Sequence, residues 1–115
     1  MHELSVCMSL LEQVAAIAEE RSAVRVTRIE LDIGPLSGVE PDLLRNAYPI
    51  AASGTIAEHA ELLIHVADIV VRCSQCDAET RVRANRLVCG ECGDFRTNVR
   101  SGDEMILRRL ELENA

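Results

Sequence analysis

Aromatic side chains are almost absent from this chain of 115 residues, which contains one Tyr, one Phe and no Trp. Proteins that bind single-stranded nucleic acid stack the bases on aromatic side chains, and this chain has almost none to offer. The formal net charge of -7 also disfavours a phosphate backbone as a partner. Composition therefore argues against nucleic-acid binding, and it argues equally against a large interface anchored by aromatic residues.

Long apolar runs are missing as well. No segment approaches the roughly 18 consecutive apolar residues that a membrane-spanning helix needs. A signal peptide begins with Lys or Arg, whereas this chain has His2 and Glu3 at those positions. The hydrophobic fraction of 48% is still sufficient to build a core. We therefore expect a cytoplasmic protein that does not associate with a membrane.

Lysine is absent, because all twelve basic residues are arginines. Six of them lie within residues 72–100 beside four acidic residues, so this segment has a formal charge of +2. The rest of the chain carries a formal charge of -9. The sequence thus describes an acidic body with a mildly basic segment, and most of the cysteines lie in that segment.

Four of the five cysteines form two C-x2-C pairs separated by twelve residues: Cys73, Cys76, Cys89 and Cys92. The odd total and the missing secretory signal argue against a disulfide framework. Two such pairs can present four thiolates tetrahedrally, as structural Zn(II) requires. Mononuclear iron and thiol redox chemistry are weaker alternatives, because an electron carrier needs no long acidic body and redox C-x-x-C motifs usually occur singly. A closed four-thiolate site offers no position for a substrate, so its metal should fold residues 73–99 and not catalyse.

The surroundings of the cysteines allow further expectations. Gly90 and Gly93 permit a tight turn whose backbone N–H groups point at sulfur. Four thiolates around Zn(II) leave a local charge of about -2. Four nearby arginines either offset this charge or form a solvated face, and the sequence favours neither interpretation: Arg72, Arg81, Arg83 and Arg86. The fifth cysteine, Cys7, lies on the apolar stripe of a predicted helix and should be a buried free thiol.

Hydrophobic periodicity predicts two helices. Residues 4–20 carry apolar side chains at the spacing of three and four that is typical of an amphipathic helix. The second helix should begin at Pro41, with Glu40 at its N-terminus, and continue to about Ser53. Pro49 should kink this helix or end it early, because proline lacks a backbone donor.

Strand signals lie on both sides of the cysteines. Residues 28–33 alternate strictly, which places Ile29, Leu31 and Ile33 on one buried face. Residues 61–72 are rich in β-branched side chains and lead directly into Cys73. Residues 104–112 fit a strand or a helix, and we favour a strand because a sheet of two strands is marginal. The cysteine segment then becomes an insertion between two strands of one α/β sandwich.

The first residues form a possible metal site. The α-amine of Met1 together with the backbone nitrogen and imidazole of His2 can chelate one ion in fused small rings. Glu3 could complete the set, and Glu40 could also reach it. Such nitrogen-rich, near-planar coordination is typical of Ni(II) or Cu(II). A frayed, exposed terminus is the simpler alternative. The other histidines are expected in a solvated loop (His59) and on a strand face (His65).

Several segments together resemble the HypA/HybF family, the nickel metallochaperones of [NiFe]-hydrogenase maturation. They are MHELSVCMSLLE, VTRIELDIGPLSGVEPDLL, the paired C-x2-C motifs and GDEMILRRLELE. They occur in the family's order over the whole chain. The resemblance implies an α+β fold, with a three-stranded sheet and two helices in a nickel-binding domain (1–72, completed by 100–115). A four-cysteine, zinc-ribbon-like domain (73–99) is inserted into it.

The resemblance also implies ligands and partners. Ni(II), the transported ion, would be bound by the amine of Met1, backbone nitrogens and the side chain of His2. Glu3 would contribute to nickel handling and partner docking, and Glu40 stands where some members have a carboxylate close to the site. The four paired cysteines match the family's structural Zn(II) ligands.

The implied partners are the nickel-insertion GTPase HypB and the [NiFe]-hydrogenase large subunit precursor, with urease maturation proteins for some members. Neither an enzymatic activity nor a nucleic-acid partner is expected. The alternative function is a zinc-ribbon module for protein interaction or nucleic-acid binding. The basic segment 72–100 supports this alternative, whereas the acidic body and the missing aromatic residues oppose it.

Overall fold

The computed structural model describes residues 2–115, which form two helices and six strands. In chain order these are α1 (Glu3–Glu20), β1 (Ala23–Ile33), α2 (Pro41–Ala52), β2 (Glu61–Val66), β3 (Ile69–Cys73), β4 (Glu79–Val82), β5 (Thr97–Ser101) and β6 (Met105–Asn114). The strands form two three-stranded sheets, with the orders β2-β1-β6 and β4-β3-β5. The expected α+β fold is confirmed, including the strand that was favoured near the end of the chain.

The chain divides into two compact units. The first, called the helical unit, comprises the chain up to Leu31, Glu40–His65 and Ile106–Ala115. The second, called the cysteine unit, comprises Asp32–Val39 and Val66–Met105. Neither helix in the described part of the chain is long and apolar enough to cross a membrane.

Helix α1 buries the apolar stripe that its sequence predicts. Cys7, Val14 and Ala18 are fully buried, and α1 packs against α2. The thiol of Cys7 donates a hydrogen bond to the carbonyl of Leu44 in α2, with 3.6 Å between sulfur and oxygen. The expectation of a buried free thiol at Cys7 is therefore confirmed.

Helix α2 tolerates its internal proline. The helix continues past Pro49 to Ala52, which confirms the predicted start at Pro41 and end near Ser53, whereas the early end expected from Pro49 is wrong. Pro49 is exposed, while Tyr48 and Ala52 are buried. Pro49 has no N–H to donate to the carbonyl four residues earlier, and that carbonyl can bind water instead. The packing of the two buried residues in the core offsets the cost of this lost hydrogen bond. The chain leaves the helix through Gly54, which has a φ of 78°.

Strand β1 confirms the predicted alternation, because Ile29, Leu31 and Ile33 are buried to within 1% of full burial. The β-branched segment 61–72 holds two strands, β2 and β3, which belong to different sheets. Between them the N–H of Ala67 donates to the carbonyl of Ile33 at 2.9 Å. Uniform β propensity does not reveal where a chain changes its hydrogen-bonding partner, so this break is not visible in the sequence.

Candidate functional site

The four paired cysteines converge in the cysteine unit. Their sulfur atoms all lie within 4.8 Å of one another. The sulfurs of Cys73 and Cys92 are 3.6 Å apart, and those of Cys76 and Cys89 are 3.5 Å apart. Four thiolates bound tetrahedrally at about 2.3 Å from Zn(II) would be roughly 3.8 Å apart. The cluster therefore fits a structural zinc ion with only small adjustments.

Both C-x2-C pairs use the same local hydrogen bonds. The sulfur of Cys73 accepts N–H donors from Gln75 at 3.3 Å and from Cys76 at 3.4 Å. In the second pair, the sulfur of Cys89 accepts from Glu91 and Cys92 at the same distances of 3.3 and 3.4 Å. Such N–H donors stabilise the negative charge of a thiolate. The sequence predicts them for the second pair, and the structure has them in the first pair as well.

These backbone donors also shift the acidity of the thiols. Hydrogen bonds from the N–H groups of Cys92 and Glu91 lower the pKa of Cys89 to about 7. The corresponding donors from Cys76 and Gln75 lower the pKa of Cys73. The first cysteine of each pair is thus both buried and predisposed to be a thiolate, the form that binds a metal.

A left-handed residue closes each turn. Asp77 has a φ of 66°, and Gly93 has a φ of 76°. Their N–H groups donate to the carbonyls of Cys73 and Cys89, at 3.1 and 2.9 Å. Gly93 therefore has the conformational role expected of it. Gly90 is closely packed, because an added Cβ would lie 3.2 Å from the Cβ of Thr80, which would have to move by a few tenths of an ångström.

Most of the arginines near the cysteines pair with carboxylates. Arg72 lies 2.6 Å from Asp77, and Arg81 lies 3.6 Å from Asp68. Arg96 interacts electrostatically with the cysteine cluster, although it was not among the four arginines that could offset the charge of the zinc site. Asp94 chiefly raises the pKa of Arg96, and the charges of Cys73 and Cys92 add to this effect. Arg96 lies only four residues after Cys92, so its position in the sequence could have identified it.

The predicted nickel ligands lie at the start of α1. Met1 lies outside the described residues. His2 is the N-cap residue of α1, and 57% of its side chain is exposed. Its Nε2 atom lies 3.6 Å from the Oε2 atom of Glu3. An accessible imidazole is thus held beside a carboxylate at the first turn of a helix.

Glu3 is the only charged residue among the described residues 2–115 that is buried, with 5% of its surface exposed. Its carboxylate accepts a hydrogen bond from the N–H of Glu40, the N-cap residue of α2, at 3.2 Å. Glu40 approaches Glu3 through its main chain, and the residue is itself exposed. The remaining histidines have the expected positions: His59 is exposed in a turn, and His65 lies on β2 with Nε2 3.1 Å from Glu30.

Comparison with known proteins agrees with this architecture. Residues 1–112 match the family model described as "Hydrogenase/urease nickel incorporation, metallochaperone, hypA". The chain is 45% identical over 112 residues to the hydrogenase maturation factor HypA of Nitrosospira multiformis, covering 97% of each chain. It is 40% identical over 113 residues to that of Aquifex aeolicus, covering 98% of each.

Solved structures show the same fold. The solution structure of the Ni metallochaperone HypA from Helicobacter pylori superposes with a TM-score of 0.72 at 26% identity, covering all of both chains. A second solution structure of a HypA protein gives a TM-score of 0.74 at 26% identity, covering 97% of this chain and 96% of the other.

Fold and cysteine cluster together define a small α+β metal-handling protein with a structural zinc site. The chain belongs to the HypA family of metallochaperones, which incorporate nickel during hydrogenase maturation.

Proposed function

We propose that this chain is a cytoplasmic carrier that binds Ni(II) at its N-terminus and delivers it to the [NiFe]-hydrogenase large subunit precursor. The proposed ligands are the amine of Met1, backbone nitrogens and the imidazole of His2, with Glu3 beside them. The observation that carries the proposal is the exposed imidazole of His2 next to the buried carboxylate of Glu3. The nickel-insertion GTPase HypB is the proposed partner in delivery.

The placement of Glu3 supports this assignment. A carboxylate held by the N–H of Glu40 limits the movement of the first turn of α1. Restricting a ligand-bearing segment before the metal arrives reduces the entropy lost on binding. Nitrogen donors in a compact chelate favour Ni(II) over Zn(II), so the two metals would occupy different sites.

Release of the ion follows from the same chemistry. Amine, amide and imidazole nitrogens must lose protons to bind the ion, so nickel affinity should fall as the pH falls. No thiolate of the cysteine cluster is needed for this step, because four-thiolate zinc sites are closed. A partner can therefore take the ion by competing for the nitrogen donors while zinc and fold remain intact. We propose residues 73–99 as the zinc-binding domain, with Cys73, Cys76, Cys89 and Cys92 as its ligands.

Glu40 enters the proposal as an auxiliary ligand. Its side chain is exposed at the N-terminus of α2, while its main chain contacts Glu3. The variant Glu40→Gln keeps the main-chain hydrogen bond and removes only the carboxylate charge. A severalfold loss of nickel affinity in this variant would support the role, and an unchanged affinity would remove Glu40 from the ligand set.

The test is a Ni(II) titration of zinc-loaded protein that retains an untagged Met1. His2→Ala should lose the tight site and its planar-type absorption spectrum, with zinc content unchanged. His59→Ala is the matched control, because His59 is an exposed histidine in the same unit. It should bind nickel like the parent protein. Equal affinity in His2→Ala and the parent would refute the N-terminal site.

Delivery requires a separate measurement. Nickel-loaded parent protein should transfer the ion to a purified hydrogenase large subunit precursor in the presence of the GTPase HypB. His2→Ala should transfer none above the level reached with free Ni(II). A urease maturation protein in place of the hydrogenase precursor tests the second system named in the family description. Transfer by His2→Ala at the parental rate would contradict the proposed route.

A further inference from the structure

A basic groove lies beside the cysteine cluster, entirely within the cysteine unit. Its volume is about 550 Å³, within the range of ligand-binding clefts. The basic residues that line it are Arg81, Arg83 and Arg86, and the other wall is the second cysteine turn, from Cys89 to Gly93. Val82 and Val88 add apolar surface, and Glu91 is the one acidic residue among those that line it.

The arginines of this groove project from one face of a tight turn. Arg83 and Arg86 form an isolated antiparallel bridge, in which the N–H of Arg86 donates to the carbonyl of Arg83 at 3.0 Å. Residues directly opposite in an antiparallel pair place their side chains on the same face. Arg81 precedes Arg83 by two residues and shares that face. Like charges placed directly opposite one another are destabilising, and a bound anion would relieve this repulsion.

The structure distinguishes two of these arginines from their neighbours. The other arginines of the cysteine unit each have a carboxylate within 4.0 Å: Arg72, Arg81, Arg96 and Arg100. Among the described residues, Arg83 and Arg86 have no such partner, and both are exposed. Two of the arginines that line the groove therefore have guanidinium donors available to a ligand.

We propose that this groove is a docking site for an acidic peptide segment of a partner protein. Carboxylate side chains of the peptide would pair with Arg83 and Arg86 in the planar, bidentate geometry that guanidinium groups favour. Aliphatic side chains between the carboxylates would contact Val88. The proposal concerns the cysteine unit alone and does not depend on nickel binding at the N-terminus.

The composition of the groove favours a peptide over a polyphosphate or a nucleic acid. Glu91 would repel a uniformly anionic strand, whereas a peptide can place an uncharged residue there. The protein also has a formal net charge of -7, which opposes association with a nucleic-acid backbone. The apolar wall has no counterpart in a phosphate ligand.

The probe is a fluorescein-labelled peptide, Glu-Leu-Glu-Val-Glu-Gly, whose glutamates are replaced by glutamine in a neutral version. We expect saturable binding of the acidic peptide to zinc-loaded protein, measured by fluorescence anisotropy, and no binding of the neutral one. Arg83→Gln/Arg86→Gln should weaken binding by about tenfold or more, because two charge-assisted contacts are lost. The matched control, Arg25→Gln/Arg45→Gln, removes two exposed arginines of the helical unit and should change binding less than about twofold.

Several outcomes would overturn the proposal. Absence of saturable binding to the parent protein would do so, as would equal losses in the two double variants, which would indicate non-specific charge attraction. Stronger binding of tripolyphosphate or of an oligothymidylate at the same site would assign the groove to a different ligand. Zinc content is measured for every variant. A loss of zinc with unchanged peptide binding would show that these arginines serve only to balance the charge of the cluster.

Discussion

The carboxylate of Glu3 and the main-chain N–H of Glu40 are joined by a hydrogen bond of 3.2 Å. The bond links the first residue of α1 to the N-cap residue of α2, across 37 positions of sequence. The residue next to the proposed nickel ligand His2 is therefore also part of the packing between the two helices. A structural role and a role in nickel binding can be separated at Glu3 by choice of substitution.

Glu3→Ala should lower the free energy of unfolding by about 1–3 kcal/mol, because it removes the charged acceptor of the part-buried N–H of Glu40. Glu3→Gln keeps an acceptor oxygen at nearly the same place and should cost less than half as much. Urea denaturation of zinc-loaded protein measures both values. Equal losses in the two variants would mean that Glu3 stabilises the fold through its negative charge and not through this hydrogen bond.

Tyr48 should give the protein a specific sensitivity to alkaline pH. Its hydroxyl donates to the carbonyl of Ala57 at 2.9 Å, and burial, with a smaller effect from Cys7, raises the pKa of Tyr48 to about 12. The unfolded chain releases this proton near pH 10. The contribution of Tyr48 to stability should therefore be complete below pH 10 and decline between about pH 10 and 12.

Tyr48→Phe isolates this effect, because thiols titrate in both proteins. At neutral pH the variant should be less stable by about 1 kcal/mol, since the carbonyl of Ala57 loses its donor. Between pH 10 and 12 the parent should lose up to about 2–3 kcal/mol more than the variant. Urea midpoints measured across this range test the prediction. Parallel pH profiles of the two proteins would contradict it.

Cys73→Ala should release zinc and unfold the sheet that contains β3. Structural zinc sites supply on the order of 10 kcal/mol to folding, more than a small unit can replace. Hydrogen exchange should accelerate at residues 69–101 and stay slow in α1 and α2. Cys7→Ala is the comparison variant, because Cys7 lies in the helical unit and is not a member of the cysteine cluster. A full equivalent of zinc in Cys73→Ala would refute the four-thiolate assignment.

Gly93→Ala should accelerate zinc release. Its φ of 76° costs alanine about 1–2 kcal/mol, and the strain falls on the turn that holds Cys89 and Cys92. Gly38→Ala is the control, because Gly38 has a φ of 81° but lies in the loop after β1. It should lose similar stability with an unchanged rate of zinc transfer to a chelator. Equal acceleration in both variants would show that the turn has no special role.

Sequence reasoning succeeded where the determinants of structure are local. The cysteine pairs could be predicted because each pair is a turn of four residues, and their hydrogen bonds to sulfur arise within that turn. The alternation of Ile29, Leu31 and Ile33 identified a half-buried strand for the same reason. The placement of the strand near the end of the chain came from a physical argument, namely that a two-stranded sheet is marginal.

The features that were missed depend on contacts between distant residues. The sequence predicts that Glu40 can reach the N-terminal residues, but not that its main-chain N–H makes the contact with Glu3. The continuation of α2 through Pro49 depends on the burial of Tyr48 and Ala52. The break between β2 and β3 depends on Ile33, which pairs with Ala67 from another part of the chain.

Strand β3 ends at Cys73, which pairs with Thr97 of β5 and is also a member of the cysteine cluster. Insertion of one residue between Ile69 and Cys73 would turn the sulfur to the opposite face of the sheet, since side chains alternate along a strand. The turn at Ala84 and Asn85, between the two cysteine pairs, carries no such constraint. Within this family we therefore expect the number of residues between the cysteine pairs to vary, while the distance from the start of β3 to its cysteine stays the same.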